Sequence, residues 1–345
     1  MMTSVQTTSG LERRLEVQIP AERVQKEVDQ RLLDVGSKAE LDGFRPGKAP
    51  VAVLRERFGE QTHREVIDEL MRSTFTEAVT EQKLEPVGEP RIEPITTLAG
   101  QDLKYAAVFE IYPKIEVRGL QGLKVERPIA EITEADVNAM IDSMQAQQPQ
   151  LNEGNITEVR RRVAENMRDQ VEEVIQAQIR GQLLDQLFAA NPLELLPKVL
   201  VESQIDALQA RFTHSNDTHE AAQLPPRENF IEAARRNVTL ELLLNEIMLV
   251  EQIKPDPAKV QSRLERIVRA AAHNEDAHDH ADPQDHQRHL EEMMQSYRQD
   301  AKAMYQIETD AVADQIFESL LARAKVTKQR KSFKELISSG AKALF

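Results

Sequence analysis

Of the eight histidines in this 345-residue chain, five crowd into one stretch: His273, His278, His280, His286 and His289. The H-x-H and H-x-x-H spacings among them could ligate zinc or nickel through imidazole nitrogens. No H-E-x-x-H motif frames the rings, and a solvated acidic connection between helices explains the same composition. No metal and no cofactor are expected. Cysteine is absent, which excludes disulfides, thiol nucleophiles and thiolate zinc sites. There is no G-x-S-x-G, glycine-rich phosphate loop or Walker pattern, and the many acids read as solvated helix faces. The residues favour recognition over bond-making, so a non-enzyme is expected.

The stretch best suited to contact is GFRPGKAP, Gly43 to Pro50. Gly43 and Gly47 permit backbone angles closed to other residues, while Pro46 and Pro50 stiffen what the glycines loosen. Such a tip can present Phe44 and Arg45 outward, with Lys48 beside them; an exposed aromatic next to a guanidinium has the composition of a binding hot spot. Arg45, Lys48, Arg55 and Arg57 against Glu56 make the region locally basic. The alternative is structural, with Phe44 tucked inward to close a helical hairpin. A second basic stretch, Leu321 to Phe345, sets seven cations against Glu335 in a chain of net charge −14. It could meet RNA, acidic polypeptide or another part of this molecule. Bulk charge opposes a general nucleic-acid binder but permits a local basic contact.

The elements that must position these residues follow from periodicity. Leu11, Leu15, Val17 and Ile19 alternate as a half-buried strand, and Pro20 suits the first turn of a helix. Val24, Val28, Leu32 and Val35 continue as a helical stripe. After GFRPGKAP a second helix carries Val66, Ile67, Leu70, Met71, Phe75 and Val79, and Pro86 and Gly88 are expected to end it. Leu103 to Ile111 alternate as another strand, giving an α+β domain over residues 1–112. Residues 113–150 read as a linker, extended to about Pro128, with a short helix capped by Thr133 and Asp136. Residues 151–345 are almost wholly helical. A long helix is opened by Asn155 with Glu158, and another by Asp256-Pro257. No apolar run is long and unbroken enough to span a bilayer, and no secretory leader is read at the start. A cytoplasmic protein without membrane contact is expected.

Two helical stripes differ in width. Val238, Leu240, Leu242, Leu243, Leu244, Ile247, Met248, Leu249 and Val250 wrap most of their helix, which should be internal. Val159, Val163, Met167 and Val171 form a narrower stripe flanked by Arg160, Arg161, Arg162 and Arg168, as suits a helix with one face partly open. Met293, Met294 and Met304 add flexible side chains of the kind found on promiscuous surfaces. The competing reading is that these stripes only hold helices together.

GFRPGKAP between two helices, VGEPRIEPI at 87–95, FEIYPKIEVRGLQGLKVERP at 109–128, ITEADVNAMIDSM at 132–144, AKVT at 324–327 and SFKEL at 332–336 together resemble trigger factor, a bacterial chaperone family of the ribosomal exit tunnel. The resemblance implies an α+β ribosome-docking domain, an extended linker and a mostly α-helical, elongated C-terminal domain with arm-like helices. It implies docking through Phe44, Arg45 and Lys48, with Gly43, Pro46 and Gly47 as scaffold, on large-subunit protein and nearby RNA. Nascent and unfolded polypeptides would be clients and ATP would not be needed; the family commonly forms a homodimer when free, which leaves both monomer and homodimer open for this chain. The partly open stripe and the three methionines are then the candidate client-binding residues. One departure is large. Family members usually insert an FKBP-type prolyl isomerase domain after the linker helix, whereas here Gln148-Pro149-Gln150 runs into Asn152 to Asn155 with no such segment. Two other readings stay open, a helical scaffold or assembly protein acting off the ribosome and a prolyl isomerase.

Overall fold

The computed structural model describes residues 1–38, 44, 50–147, 156–215, 224–275 and 283–343. In chain order the elements are β1 (Met2–Ser9), β2 (Glu12–Ile19), α1 (Ala21–Lys38), α2 (Val51–Glu81), β3 (Pro86–Thr96), β4 (Leu103–Ile111), β5 (Lys124–Ile129), α3 (Glu134–Gln147), α4 (Ile156–Ala190), α5 (Lys198–Ser215), a 3-10 turn (Arg227–Phe230), α6 (Ile231–Val250), α7 (Pro257–Glu275), α8 (Pro283–Gln299), α9 (Ala301–Arg323), β6 (Lys325–Arg330) and α10 (Phe333–Ala343). They group into two compact units, neither continuous in sequence: Met1–Lys114 with Leu193–Val238, and Ile115–Pro192 with Thr239–Phe345. The N-terminal part is α+β and the C-terminal part is helical.

In the first unit an antiparallel sheet runs in the order β1-β2-β4-β3. Alternation decides its buried face: Leu15, Val17 and Ile19 on β2 sit opposite Ala107, Tyr105 and Leu103 on β4, and all six are buried. That set packs on Val24, Val28 and Leu32 of α1 and on the stripe of α2 from Leu54 to Val79. The buried Tyr105 and Thr74 hydroxyls share a hydrogen bond of 2.9 Å, and burial pushes the Tyr105 phenol pKa up. Pro20 lies just before α1 and has no capping side chain; Asp102 supplies the cap by accepting from the Ala21 N–H at 2.9 Å. The Gln18 amide at 2.7 Å and that N–H hold the Asp102 carboxyl below its usual range.

Two strands of this sheet were not expected. Met2–Ser9 has little alternation to read, yet it pairs along β2. Pro86 and Gly88 do not end a helix: α2 stops at Glu81, and Pro86 opens β3. Proline tolerates that position because β3 is an edge strand, where a missing donor faces solvent. Gly88 has φ +69°, and a Cβ there would lie 2.9 Å from Val199 Cγ1 of α5, so backbone angle and space both favour glycine.

In the second unit α4 carries buried Val163, Met167, Val171, Ile175, Ile179, Leu183 and Leu187, one residue per turn along one face. Its C-terminal half packs with Leu123, Val125, Val312, Ile316, Leu320 and Leu336. The expected extended linker contains β5, which pairs in parallel with β6. The Thr133–Asp136 cap is present, the Thr133 N–H donating to Asp136 at 2.9 Å, and α10 repeats the device with Ser332 and Glu335. Asp256 caps α7 by accepting from the Ala258 N–H at 2.9 Å, with Pro257 as its first residue. Asn155 lies outside the described residues. The apolar run on α6 is only partly internal: Val238, Leu243 and Ile247 are buried, whereas Leu249 and Val250 at the helix end are 65% and 64% exposed.

Candidate functional site

The expected docking loop is carried by the α1–α2 hairpin, so the hairpin determines where the tip stands. Antiparallel helices can be brought close only where side chains are small. Gly36 on α1 faces Leu54 on α2 so tightly that a Cβ at Gly36 would lie 2.5 Å from Leu54 Cδ1. Arg23 pairs with Glu77 at 3.2 Å, and Arg31 with Glu69 and Arg55 with Asp29 complete a line of bridges between the helices. Pro50 starts α2 with its carbonyl accepting from the Val53 and Leu54 N–H groups at 3.0 and 3.2 Å. Both ends of the loop are therefore fixed.

Of the loop residues, Phe44 is described and is 41% exposed; the inward-tucked alternative does not hold for it. Gly43, Arg45, Pro46, Gly47 and Lys48 lie outside the described residues. Arg55 does not add to the tip as a free cation, since its guanidinium is paired with Asp29. Arg57 remains exposed. The arrangement offers contact, an aromatic ring on a stapled hairpin with basic residues alongside in sequence.

The candidate client surface is placed differently from the expectation. Val163, Met167 and Val171 are 6%, 2% and 7% exposed and Val159 is half-buried. Val137, Met140 and Ile141 of α3 cover the start of that stripe together with Phe333. Of the arginines that suggested an open edge, Arg160 helps to close it and Arg161 is held along its own helix. Arg160 donates to Asn138 of α3 at 2.6 Å, and Arg161 bridges Glu158 and Glu165, holding the Glu158 carboxyl pKa down. The narrow stripe is thus a helix–helix seam. Met293, Met294 and Met304 are half-buried around Leu264, Val268 and Ile307 in a separate cluster of α7, α8 and α9.

A more open apolar surface lies elsewhere in the second unit. A groove of about 320 Å³ between α6 and α9 is lined by Leu244, Met248, Val312 and Ile316, rimmed by Glu241 and Glu308, with Tyr305 at its side 70% exposed. Sequence reasoning missed it because the all-round apolar run of α6 suggested complete burial. The signal was the pair Glu241 and Asn245 inside that run, which marks a wet edge.

The side chains of His273, His278, His280 and His286 lie outside the described residues, and His289 is half-buried. Among the described residues no group of three or more His, Asp or Glu is placed to hold a metal, and no helix is long and apolar enough to cross a membrane.

Comparison with known proteins bears on the whole chain. Residues 1–144 match the family model "Bacterial trigger factor protein (TF)", and residues 155–329 match "Bacterial trigger factor protein (TF) C-terminus". Similar curated relatives include the trigger factor of Alkalilimnicola ehrlichii, 29% identical over 98% of this chain and 96% of its own length. That of Azotobacter vinelandii is 27% identical over 98% of each. A solved structure described as "Promiscuous Substrate Recognition in Folding and Assembly Activities of the Trigger Factor Chaperone" shares the fold, with a TM-score of 0.58 and 11% identity over 93% of this chain and 99% of that one. The alignment with the first relative runs over 447 positions, roughly a hundred more than this chain has residues, about one domain's length. Only residues 145–154 separate the two family models.

Proposed function

The chain belongs to the trigger factor family, and from that premise we propose that it is an ATP-independent chaperone that docks at the ribosomal exit tunnel and shields nascent or unfolded polypeptides in the cytoplasm. The observation that carries the docking role is Phe44, exposed at the tip of a hairpin whose helices are stapled by Gly36–Leu54 packing and three ion pairs. A rigid mount lowers the entropic cost of binding through the tip. Gly43, Pro46 and Gly47 shape the tip; Phe44, Arg45 and Lys48 make the contact to large-subunit protein and RNA. Residues 1–112 act in docking, residues 113–150 link, and residues 151–345 receive clients, with the α6–α9 groove a better-exposed surface than the α4 stripe.

Replacing Phe44, Arg45 and Pro46 together by Ala is expected to weaken ribosome binding by at least about 2 kcal/mol, roughly thirty-fold. The remaining binding should fall with salt. Ribosome co-sedimentation measures this, and a triple variant that pellets with ribosomes like the wild type would sink the docking assignment. We also propose that the chain does not catalyse prolyl isomerisation, because ten residues between the two matched segments cannot hold a domain. Isomerisation of an X-Pro peptide should stay at its uncatalysed rate of tens of seconds or longer. Acceleration proportional to the concentration of purified protein is the contrary result.

A further inference from the structure

The basic stretch near the C-terminus forms one strand of the small parallel sheet, and that sheet treats its two edges unequally. In a β-strand, alternate residues direct their backbone N–H and C=O groups to opposite sides. The Lys325 N–H donates to the Leu123 carbonyl at 2.7 Å, and the Lys331 N–H donates to the Ile129 carbonyl at 3.0 Å. These bonds fix the parity of the pair. Odd-numbered residues of β6 face β5, and even-numbered residues of β5 face away from β6.

The outward side of β5 is closed. Gln186 of α4 accepts from the Lys124 N–H at 2.9 Å and donates to the Lys124 carbonyl at 2.7 Å. Gln182, one turn earlier, does the same for Glu126 at 2.8 and 2.9 Å. The next outward residue, Pro128, has no N–H to satisfy. Two glutamine amides at i and i+4 thus imitate a third strand.

Among the described residues nothing comparable covers β6. All six of its residues are exposed, and by parity Val326, Lys328 and Arg330 turn their backbone groups away from β5. An exposed regular edge is a template for strand addition. Its side chains decide what can add. Val326, Lys328 and Arg330 lie on one face of the strand and Lys325, Thr327 and Gln329 on the other, and Lys331 follows. Like charges directly opposite destabilise a strand pair, whereas opposite charges stabilise it. The edge of a second copy, carrying the same cations, is therefore disfavoured, and an acidic strand is favoured.

We propose that the free edge of β6 receives an extended, acidic polypeptide segment by strand addition, its backbone pairing with Val326, Lys328 and Arg330 and its carboxylates meeting Lys328 and Arg330 on one face. This rests on the reading that the chain receives unfolded polypeptide, and it adds where one class of segment binds. Val326 is an outward position, so Val326→Pro deletes a free N–H without altering charge or the ladder to β5, an arrangement edge strands tolerate. The triple variant K325Q/K328Q/R330Q does the reverse, removing charge and keeping the backbone.

The experiment titrates a fluorescent eight-residue peptide of alternating Glu and Val into the full-length chain at low salt and follows anisotropy. Each variant is expected to raise Kd at least about tenfold. Methylating alternate amide nitrogens of the peptide should abolish binding to the unmodified chain, a result that does not depend on any variant folding. Tight binding of a methylated peptide, or an unchanged Kd with a folded Val326→Pro protein, overturns the proposal. So does a single-stranded RNA oligonucleotide that binds more tightly than the peptide and is lost only in the charge variant. Light scattering of an aggregating client is run alongside. Client protection without peptide binding defeats this site alone, whereas peptide binding without client protection defeats the chaperone reading and leaves the edge.

Discussion

The two sheets of this protein meet the problem of unpaired edges with different chemistry. In the four-stranded sheet the outer strands are irregular: β1 shifts register between Thr7 and Ser9, and β3 shifts between Val87 and Arg91 and again between Pro94 and Thr96. Pro86, Pro90 and Pro94 withdraw donors along β3. An incoming strand would find a broken ladder there. In the two-stranded sheet β5 is regular but occupied by Gln182 and Gln186, while β6 is regular, exposed and basic. Irregularity rejects every partner, whereas charge on a regular edge rejects some and invites others. The first sheet is built as a mount, and the second retains an edge that can bind.

If the mount is held by its own core, the largest effect should come from beneath the first sheet. Leu15 is fully buried among β2, β4 and the hairpin helices, so Leu15→Ala should cost about 3 kcal/mol, within the usual range of two to five. Val125 is as deeply buried under the second sheet, but loses fewer atoms, and Val125→Ala should cost about 2 kcal/mol. Denaturant titration gives the sizes, and hydrogen exchange shows where each falls. Leu15→Ala should speed exchange in β2 and β4, and Val125→Ala in β5 and β6. A substitution that loosens both sheets equally would show that they unfold as one and would remove the contrast.

A smaller effect is expected from the glutamines. The bonds of Gln182 and Gln186 to β5 lie near solvent, so water can replace part of what their loss removes. The pair Gln182→Leu and Gln186→Leu should cost about 1–2 kcal/mol in total. Amide exchange at Lys124 and Glu126 should quicken by about tenfold. Unchanged protection at those amides would mean that the side-chain edge is dispensable and that β5 is as open as β6.

The same contrast explains what could be read beforehand. β2, β4, α1 and α2 declare themselves by local period, because their buried residues recur every second or every fourth position against neighbours close in sequence. The β5–β6 pair does not, since Thr327 meets Val125 across 202 residues and KVTKQR has no buried side to reveal. The stripe of Val159, Val163, Met167 and Val171 was legible as apolar. Its cover was not, because an amphipathic face looks the same whether α3 or solvent lies against it. Proline misled at β3 for a related reason: it marks the end of a helix or the edge of a sheet, and only pairing tells which. For the docking tip, residue types and flanking helices were legible, while the closeness of Gly36 to Leu54 needed both helices in place.

Under the first sheet, the Thr74 and Tyr105 hydroxyls tie α2 to the buried face of β4 through one hydrogen bond. Thr74→Val should strand the Tyr105 hydroxyl and cost about 1 kcal/mol. Adding Tyr105→Phe should recover most of that loss, because neither group then wants a partner. Chemical denaturation of both variants measures the recovery. If the double variant is weaker than the sum of the singles, the pair contributes packing that the hydrogen bond does not explain.

The smallest effect distinguishes the two regions by pH. Asp102 accepts from Gln18 and from the first N–H of α1, and those bonds lower its carboxyl pKa in the folded state. A depressed folded pKa means that the ionised group contributes stability above the unfolded value, about 3.9 for aspartate. That contribution is lost as pH falls through the folded value. Asp102→Asn keeps an acceptor for the Ala21 N–H and can donate to the Gln18 carbonyl once that amide turns over, but it cannot ionise, so what it chiefly removes is the charge. The wild type should exceed the variant in thermal midpoint near pH 6, and the gap should close as pH drops below about 3.9. Caps in the second unit rely on other acids, Asp136 and Glu335, whose carboxyl pKa values are lowered by Thr133 and Ser332 respectively. The acid response of β5 and β6 amides should therefore be the same in both proteins. A gap between wild type and Asp102→Asn that persists unchanged to pH 2 would mean that the side chain acts through shape rather than charge. A parallel change in the β5 and β6 amides would mean that acid reaches the two sheets together.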